Sequence, residues 1–433
     1  MATNAYCVKC KAKRDMQNEQ KITMKNGKPA TEGKCPVCGT KMFRIGACER
    51  FCRLSRVAFD SAFRPPGRAP SDQSPREPPG GLASGPRYNG RLVDEAAGQP
   101  ILAIDLGGTK IRAAYVSPDL HLASRLTTDT NDQEGVDAVV DRLCALAADS
   151  MADARAAGLP APVGIGISSP GPLDPWRGVV VAPPNLDGWH DVPLVERVEA
   201  ALDLPAFLER DTNVAVMAEW RHGAGREADN VIYITVSTGI GGGIVVNGQP
   251  LIGPDGTAGE VGHVTVELDG PLCGDGSPGH AEAIGSGTAI AREGRALLEQ
   301  GRSPALAAIF TASGATELLA EHVTQAADAG DAACRAVIER AWVAVGALCA
   351  SLLNVLNPEV IVIGGSIAAH RPELFDVVRR EMARRAFATP ARRVRVVPAE
   401  HGDDVSLIGL LPIVNDRLHD PAYRRGRTSV ANA

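Results

Sequence analysis

Several things are scarce in this sequence, and each scarcity removes a class of protein. No apolar run approaches the roughly 18 residues that a membrane helix needs, and the N-terminus, MATNAYCVKCK, is polar, without the charged-then-apolar order of an export signal. A soluble, cytoplasmic chain without a membrane partner is expected. The ten cysteines lack a disulfide-like rhythm: four form two Cys-x-x-Cys pairs near the start and the other six are scattered. Metal is favoured over disulfide. Lysine is also scarce after the beginning, for eight of the nine lysines lie at or before Lys41, the ninth is Lys110, and every later strong cation is arginine. Such an abrupt change marks the N-terminal piece as a separate origin fused to an arginine-using enzyme.

What is present fits that division. A chain of 433 residues, 44 % hydrophobic, supplies two or three domains with cores. Residues 1–45 carry ten Lys or Arg against three acids, whereas the whole chain carries −6. Residues 1–46 read as a zinc ribbon. Cys7, Cys10, Cys35 and Cys38 offer the four thiolates of a closed tetrahedral site, Asn26-Gly27 suits a tight reversal between them, and Zn2+ can fold a piece too small for a core of its own. The segment resembles a short bacterial domain of uncharacterised role that opens YCVKCK and closes CPVCGTKMFR. Its basic surface is the one feature that could touch nucleic acid, but no interleaved aromatic series accompanies it, so nucleic acid is not the expected partner. Residues 47–98, rich in Pro, Gly, Ser and Arg, read as a disordered linker in which Cys48 and Cys52 are incidental thiols.

From residue 99 strands and helices alternate. ILAID and IRAAYV are joined across a glycine pair, HLASRLTT continues the meander, a helix runs from about Gly135 to Ala157, and the strand VGIGI follows. NVIYITVS opens a second series, with helices between about Ala289 and Ala347, then EVIVIG and VRVV. Two similar openings imply two α/β halves with a cleft between them, residues 99–222 and 223–420, before a disordered tail at 421–433.

Three glycine turns stand at strand ends. In Asp105-Leu106-Gly107-Gly108-Thr109-Lys110 the glycines let backbone N–H groups approach phosphate oxygens, Thr109 adds a donor, and Asp105 meets magnesium directly or through water; a plain hairpin is the alternative for one such turn alone. Thr238-Gly239-Ile240-Gly241-Gly242-Gly243 repeats the device, and Gly364-Gly365-Ser366 can pass under a flat adenine. Lys110 is a secondary site at the cleft edge. Asp211, between the strand AFLE and a helix, is either a helix cap or the base that activates an alcohol, kept ionised by backbone donors.

At these turns and between them, from about Ile101 to Leu418, the sequence resembles the ROK family (repressor, open reading frame, kinase), a branch of the actin-like ATPases with a two-lobed, ribonuclease-H-like α/β fold. The most specific stretch is GEVGHVTVELDGPLCGDGSPGHAEAIGSG. There the family carries Glu-x-Gly-His, nine residues, then Cys-x-Cys-Gly-x-x-Gly-Cys-x-Glu, and the spacing is kept. Two cysteines are replaced, so the implied zinc ligands are His263, Cys273, Asp275 and His280. The resemblance makes Asp211 the catalytic base and brings Gly171, Asn185, Glu260, His263 and Glu282 to the sugar. The residue before the base, usually Asn in the family's hexose kinases, is Arg210, which donates but does not accept, so hydroxyl recognition must change or Arg210 must turn away.

The activity implied is transfer from ATP with Mg2+ to a hexose, glucose at its 6-hydroxyl first, by a homodimer. The alternatives are another hexose or an N-acetylhexosamine, polyphosphate as donor, and a sugar-sensing regulator whose basic ribbon replaces a helix-turn-helix.

Overall fold

The computed structural model describes residues 4–7, 9, 10, 12–23, 29–45, 98–420 and 423. The turn at Asn26-Gly27, the thiols Cys48 and Cys52, the linker reading up to residue 97, and the tail except Tyr423 lie outside these residues. The chain divides into two compact units, residues 1–85 and 86–433.

In the first unit, β1 (Asn4–Cys7) pairs antiparallel with β2 (Ala12–Asp15), and β3 (Gln17–Thr23), β4 (Pro29–Lys34) and β5 (Lys41–Ile45) form an antiparallel meander. Its small core is Met16, Cys35 and Met42, with Cys10 and Cys38 packed beside them. The sulfurs of Cys10, Cys35 and Cys38 all lie within 4.8 Å of one another. The side chain of Cys7, the fourth expected ligand, lies outside the described residues.

The second unit repeats one sheet design twice. In the first sheet β6 (Ile101–Leu106), β7 (Lys110–Val116) and β8 (Leu122–Asp129) form an antiparallel meander, and β9 (Ile165–Ser169) and β12 (Ala206–Arg210) add in parallel beyond β6. A small hairpin, β10 (Leu173–Asp174) with β11 (Val179–Val180), lies between those two in sequence. In the second sheet β13 (Val231–Val236), β14 (Ile240–Val246) and β15 (Gln249–Pro250) form the meander, and β16 (Val360–Gly364) and β17 (Arg395–Pro398) add in parallel beyond β13. Numbered within each half, both sheets read 3-2-1-4-5. This is the two-lobed α/β fold expected of an actin-like ATPase.

The parallel strands β9, β12 and β16 are buried at every residue, β16 as the β-branched run Val360-Ile-Val-Ile, while the edge strand β17 is partly exposed. Val136–Ala156 covers the first sheet through Val139, Val140, Leu143 and Ala147. Ala332–Leu356 covers the second through Ile338, Trp342, Val345 and Leu348. That helix corrects one expectation, since an 18-residue stretch of it has mean hydropathy 1.7 and 25 residues are enough to cross a membrane. It is instead largely buried in the core of the second half.

The chain does not finish in the half where its fifth strand ends. Leu407, Leu410, Leu411, Ile413 and Val414, from the helices Val405–Ile408 and Leu410–Leu418, pack with Ile101, Ala103, Ala114 and Phe207 of the first sheet. By packing, residues 405–418 therefore belong with the first half, although order along the chain assigns them to 223–420.

Candidate active site

The β6–β7 turn is a hairpin with its amides left open. Gly107 N donates to Lys110 O at 2.9 Å, Thr130 N donates to Thr109 O at 2.8 Å, and Thr130 Oγ1 donates to Gly107 O at 2.7 Å. Among the described residues no acceptor takes the amides of Gly108 and Thr109. Gly108 is pressed against the loop of Asn185, where an added Cβ would stand 2.6 Å from the Asn185 carbonyl oxygen. The turn expected to hold phosphate and the amide expected to meet sugar are thus neighbours. Lys110 is exposed at the start of β7, across from Asp129.

Asp105 ends β6 on a fixed leash. Arg112 donates to its Oδ2 from Nη2 at 2.7 Å and Nε at 3.1 Å, and Arg112 also reaches Asp403 O and Ser406 Oγ, each at 2.8 Å. One carboxylate oxygen is committed to Arg112, and Oδ1 is the one left for a cation.

Asp211 lies at the carboxyl end of β12 and opens the helix Asp211–His222. Open α/β sheets bind ligands at such strand ends. Its side chain is reachable by solvent, yet protein surrounds it, and this enclosure pushes its carboxyl up to about 6. Thr212 N, donating to Oδ1 at 2.7 Å, pulls the other way, Asp105 and Glu260 push it up, and Arg210 lowers it. The expectation that backbone donors keep this carboxylate ionised is therefore reversed in direction: one amide does not offset the enclosure. A carboxyl poised near 6 with open access suits a general base at neutral pH.

Arg210 has turned away, one of the two outcomes that its residue type allows. Its side chain is 4 % exposed, and its donors go to Glu260 Oε1, Ala258 O, Gly242 O and Asn213 Oδ1. Gly171 lies against its stem. Arg210 thus makes no sugar-side surface of its own, a correction to its reading as a substrate-binding residue. Glu260 remains 45 % exposed, with Oε2 at 3.6 Å from His263 Nδ1.

His263, Cys273 and His280 bring one ligand atom each within 4.8 Å of one another. The two rings meet edge to face at 5.2 Å. Asp275, expected as a fourth ligand, is outside this cluster: its Oδ1 accepts from Ser277 N at 2.9 Å and stands 3.6 Å from His280 Nδ1. A short carboxylate tied to its own turn reaches the histidine beside the cluster and not its centre. Glu282, two residues after His280, accepts from Ile240 N at 2.8 Å through Oε2 and from the Cys273 thiol at 3.7 Å through Oε1.

The second glycine run divides in two. Ser237, Thr238 and Gly239 form the turn proper, tied to the helix Gly287–Glu299 by Gly287 N to Ser237 O and Thr288 N to Thr238 O. Among the described residues the amides of Thr238 and Gly239 have no acceptor. Gly241, Gly242 and Gly243, by contrast, lie inside β14. Added Cβ atoms at Gly241 and Gly243 would meet Thr212 Cγ2 at 2.8 Å and Thr212 O at 2.2 Å, and one at Gly242 would meet Val261 at 2.5 Å. Close approach of protein, not of nucleotide, explains Gly241 and Gly242, which corrects their grouping with the phosphate turn. Gly364 and Gly365 end β16, Gly365 at φ 92°, and Ser366 Oγ meets Ser237 Oγ at 2.8 Å, so the second and third turns touch.

Sequence reasoning misses Glu209, Arg417, Asn213 and Glu219. Glu209 is 2 % exposed, pairs with Arg417, and accepts from Arg210 N and Asn213 Nδ2, each at 2.9 Å. It locks the strand–helix junction at Asp211 from beneath. Glu219, fully buried on the same helix, accepts from Glu400 N and His401 N. Arg417, Glu400 and His401 are too distant in sequence for spacing to reveal these pairings.

Known proteins resemble most of this chain. The ROK family matches residues 101–417, and a domain of unknown function (DUF5679) matches residues 6–45. A glucokinase of Thermotoga maritima is 33 % identical over 319 residues, covering 73 % of this chain and 98 % of that protein. An N-acetylmannosamine kinase of Yersinia pseudotuberculosis is 32 % identical, covering 71 % of this chain and 96 % of that protein. A ROK family glucokinase from Streptomyces griseus, solved in complex with glucose and AMPPNP, superposes with a TM-score of 0.61 at 30 % identity, covering 72 % of this chain and 98 % of that one.

Proposed function

The chain belongs to the ROK family, and we propose that it is an ATP-dependent hexose kinase, transferring the γ-phosphoryl group of ATP to the 6-hydroxyl of glucose. The observation that carries this reading is Asp211, a reachable carboxyl raised to about 6 by enclosure, with the charges of Asp105 and Glu260 adding to the rise. An alcohol is a poor nucleophile until its proton has somewhere to go. Asp211 accepts that proton as the oxygen attacks the γ-phosphorus and the bond to the β-phosphate oxygen breaks. The open amides at Gly108, Thr109, Thr238 and Gly239 approach the phosphates, and Gly364 and Gly365 lie under the adenine. Asn185, Glu260, His263 and Glu282 face the sugar. Asp105, whose Oδ2 is taken by Arg112, would hold magnesium through its other oxygen, directly or through water, and the ion would supply positive charge beside the phosphates.

Zinc fits two donor sets. His263, Cys273 and His280 would hold one ion, and His280 Nδ1, buried without a hydrogen-bond partner, sits within this group. The ion would tie the loop of Glu260 to that of Glu282. Cys10, Cys35 and Cys38, with Cys7, would hold a second ion in the N-terminal unit.

A coupled assay with purified protein and ATP across glucose, mannose, fructose and N-acetylmannosamine tests the reading, with glucose expected to give the highest kcat/KM. The similarity to an N-acetylmannosamine kinase makes that sugar the second candidate. No turnover of any of them would overturn the kinase reading.

A further inference from the structure

Arg210 lies between the catalytic carboxylate and the loop that carries Glu260, and no step of the phosphoryl transfer uses it. At 4 % exposure its guanidinium is out of a sugar's reach, yet it is held on several sides. Nη1 donates to Glu260 Oε1, while Nη2 donates to Ala258 O at 2.6 Å and Gly242 O at 3.2 Å and stands 3.4 Å from Asn213 Oδ1. Nε is buried with no acceptor, a penalty that this arrangement tolerates. The surrounding backbone is shaped to the side chain. Gly259, at φ 92°, comes so close that an added Cβ would stand 3.0 Å from Nη2, and one at Gly171 would stand 3.2 Å from Cδ.

We propose that Arg210 is a positioning and specificity-determining residue, strapping residues 258–260 onto β14 and fixing which oxygen of Glu260 faces the sugar. With Oε1 committed to the guanidinium, Oε2 is the acceptor left in the cleft, on the side of His263. A carboxylate free to rotate accepts from either of two neighbouring hydroxyls, whereas one with a tethered oxygen presents a single acceptor in a fixed direction. Epimers that place a hydroxyl elsewhere then lose a hydrogen bond and leave Oε2 unpaired. The inference rests on the kinase reading through the role of Glu260.

The test compares full-length wild type, Arg210→Asn and Arg210→Lys by steady-state kinetics on several hexoses and by calorimetric sugar binding without ATP. Arg210→Asn is expected to raise KM and Kd for the preferred sugar about 10-fold, to leave KM for ATP within about 2-fold, and to flatten discrimination among epimers by a similar factor. Arg210→Lys, which keeps the ion pair with Glu260 but cannot span two carbonyls, should recover part of both. If Arg210→Asn gives no soluble protein, Arg210→Lys decides alone: a rise of about 3-fold or more in sugar KM with altered discrimination supports the proposal. Sugar KM and discrimination equal to wild type in the folded variants would overturn it, as would an equal rise in KM for sugar and ATP. Absence of turnover in wild type sinks the kinase reading instead, and calorimetry then still reads the Arg210 effect.

Discussion

Asp211 stands where two demands on a carboxylate conflict. As the proposed base it must be reachable to take a proton, and enclosed enough to want one. The unfolded chain leaves it at its ordinary value of 3.8, while the folded site raises it to about 6. The folded state therefore holds the proton more tightly, so ionising Asp211 opposes folding above about pH 6, and this opposition disappears below about pH 4. Asp211→Asn should then melt higher than wild type at about pH 8 and converge with it at about pH 4, while kcat falls roughly 10²- to 10⁴-fold. In wild type the acid limb of kcat/KM should lie near pH 6, since only the ionised carboxylate accepts a proton. Calorimetric melting at the two pH values, with a pH–rate profile, checks both. Near-wild-type kcat in the variant would remove Asp211 from its role.

The helix that begins at Asp211 rests Thr212 and Val216 directly on the glycines of β14. Gly243→Ala would drive a methyl group to 2.2 Å from Thr212 O, one residue from the base. We expect a loss of about 1–3 kcal/mol in denaturant unfolding, with kcat lowered about 10-fold as the carboxylate moves; wild-type values for both would show that the helix is free to shift. The same glycines mark how far the sequence can be read. Strands such as Val360–Gly364 and the helix Val136–Ala156 are legible because period and β-branching are local properties. A glycine at the entry to a strand looks the same whether a phosphate or a helix approaches it, and the approaching residues, Thr212 and Val216, lie about thirty positions earlier. Asp211 was legible as a site residue, but its direction of titration was not, because Asp105 and Glu260 come to it only through the fold. The spacing picked out four candidate ligand positions, of which His263, Cys273 and His280 come together, while the exclusion of Asp275 depends on the turn that holds it.

The molecule closes on its first half only at its end. Asn415 Oδ1 accepts from Gln99 N at 2.8 Å and Asn415 Nδ2 donates to Gln99 O at 3.0 Å, so the helix Leu410–Leu418 clasps the chain just before the first sheet starts. Arg417, 7 % exposed, pairs with Glu209 and donates to Leu208 O at 2.9 Å. Arg417→Leu strands Glu209 as an unpaired buried acid and should destabilise the protein by about 3–5 kcal/mol, with part of the loss recovered in the double variant with Glu209→Gln. Denaturant unfolding of the three variants checks this; additive losses would show that the pair is not coupled. The pairing also sets a clock on biosynthesis. Glu209 and Arg417 are 208 residues apart, a distance that translation at about 5–20 residues per second covers in roughly 10–40 s. Through that interval Glu209 is without its partner, because the arginine that completes the strand–helix junction has not yet been synthesised. A chain that stops a few codons before Arg417 is therefore expected to leave Glu209 without its partner and to unfold at lower denaturant than wild type.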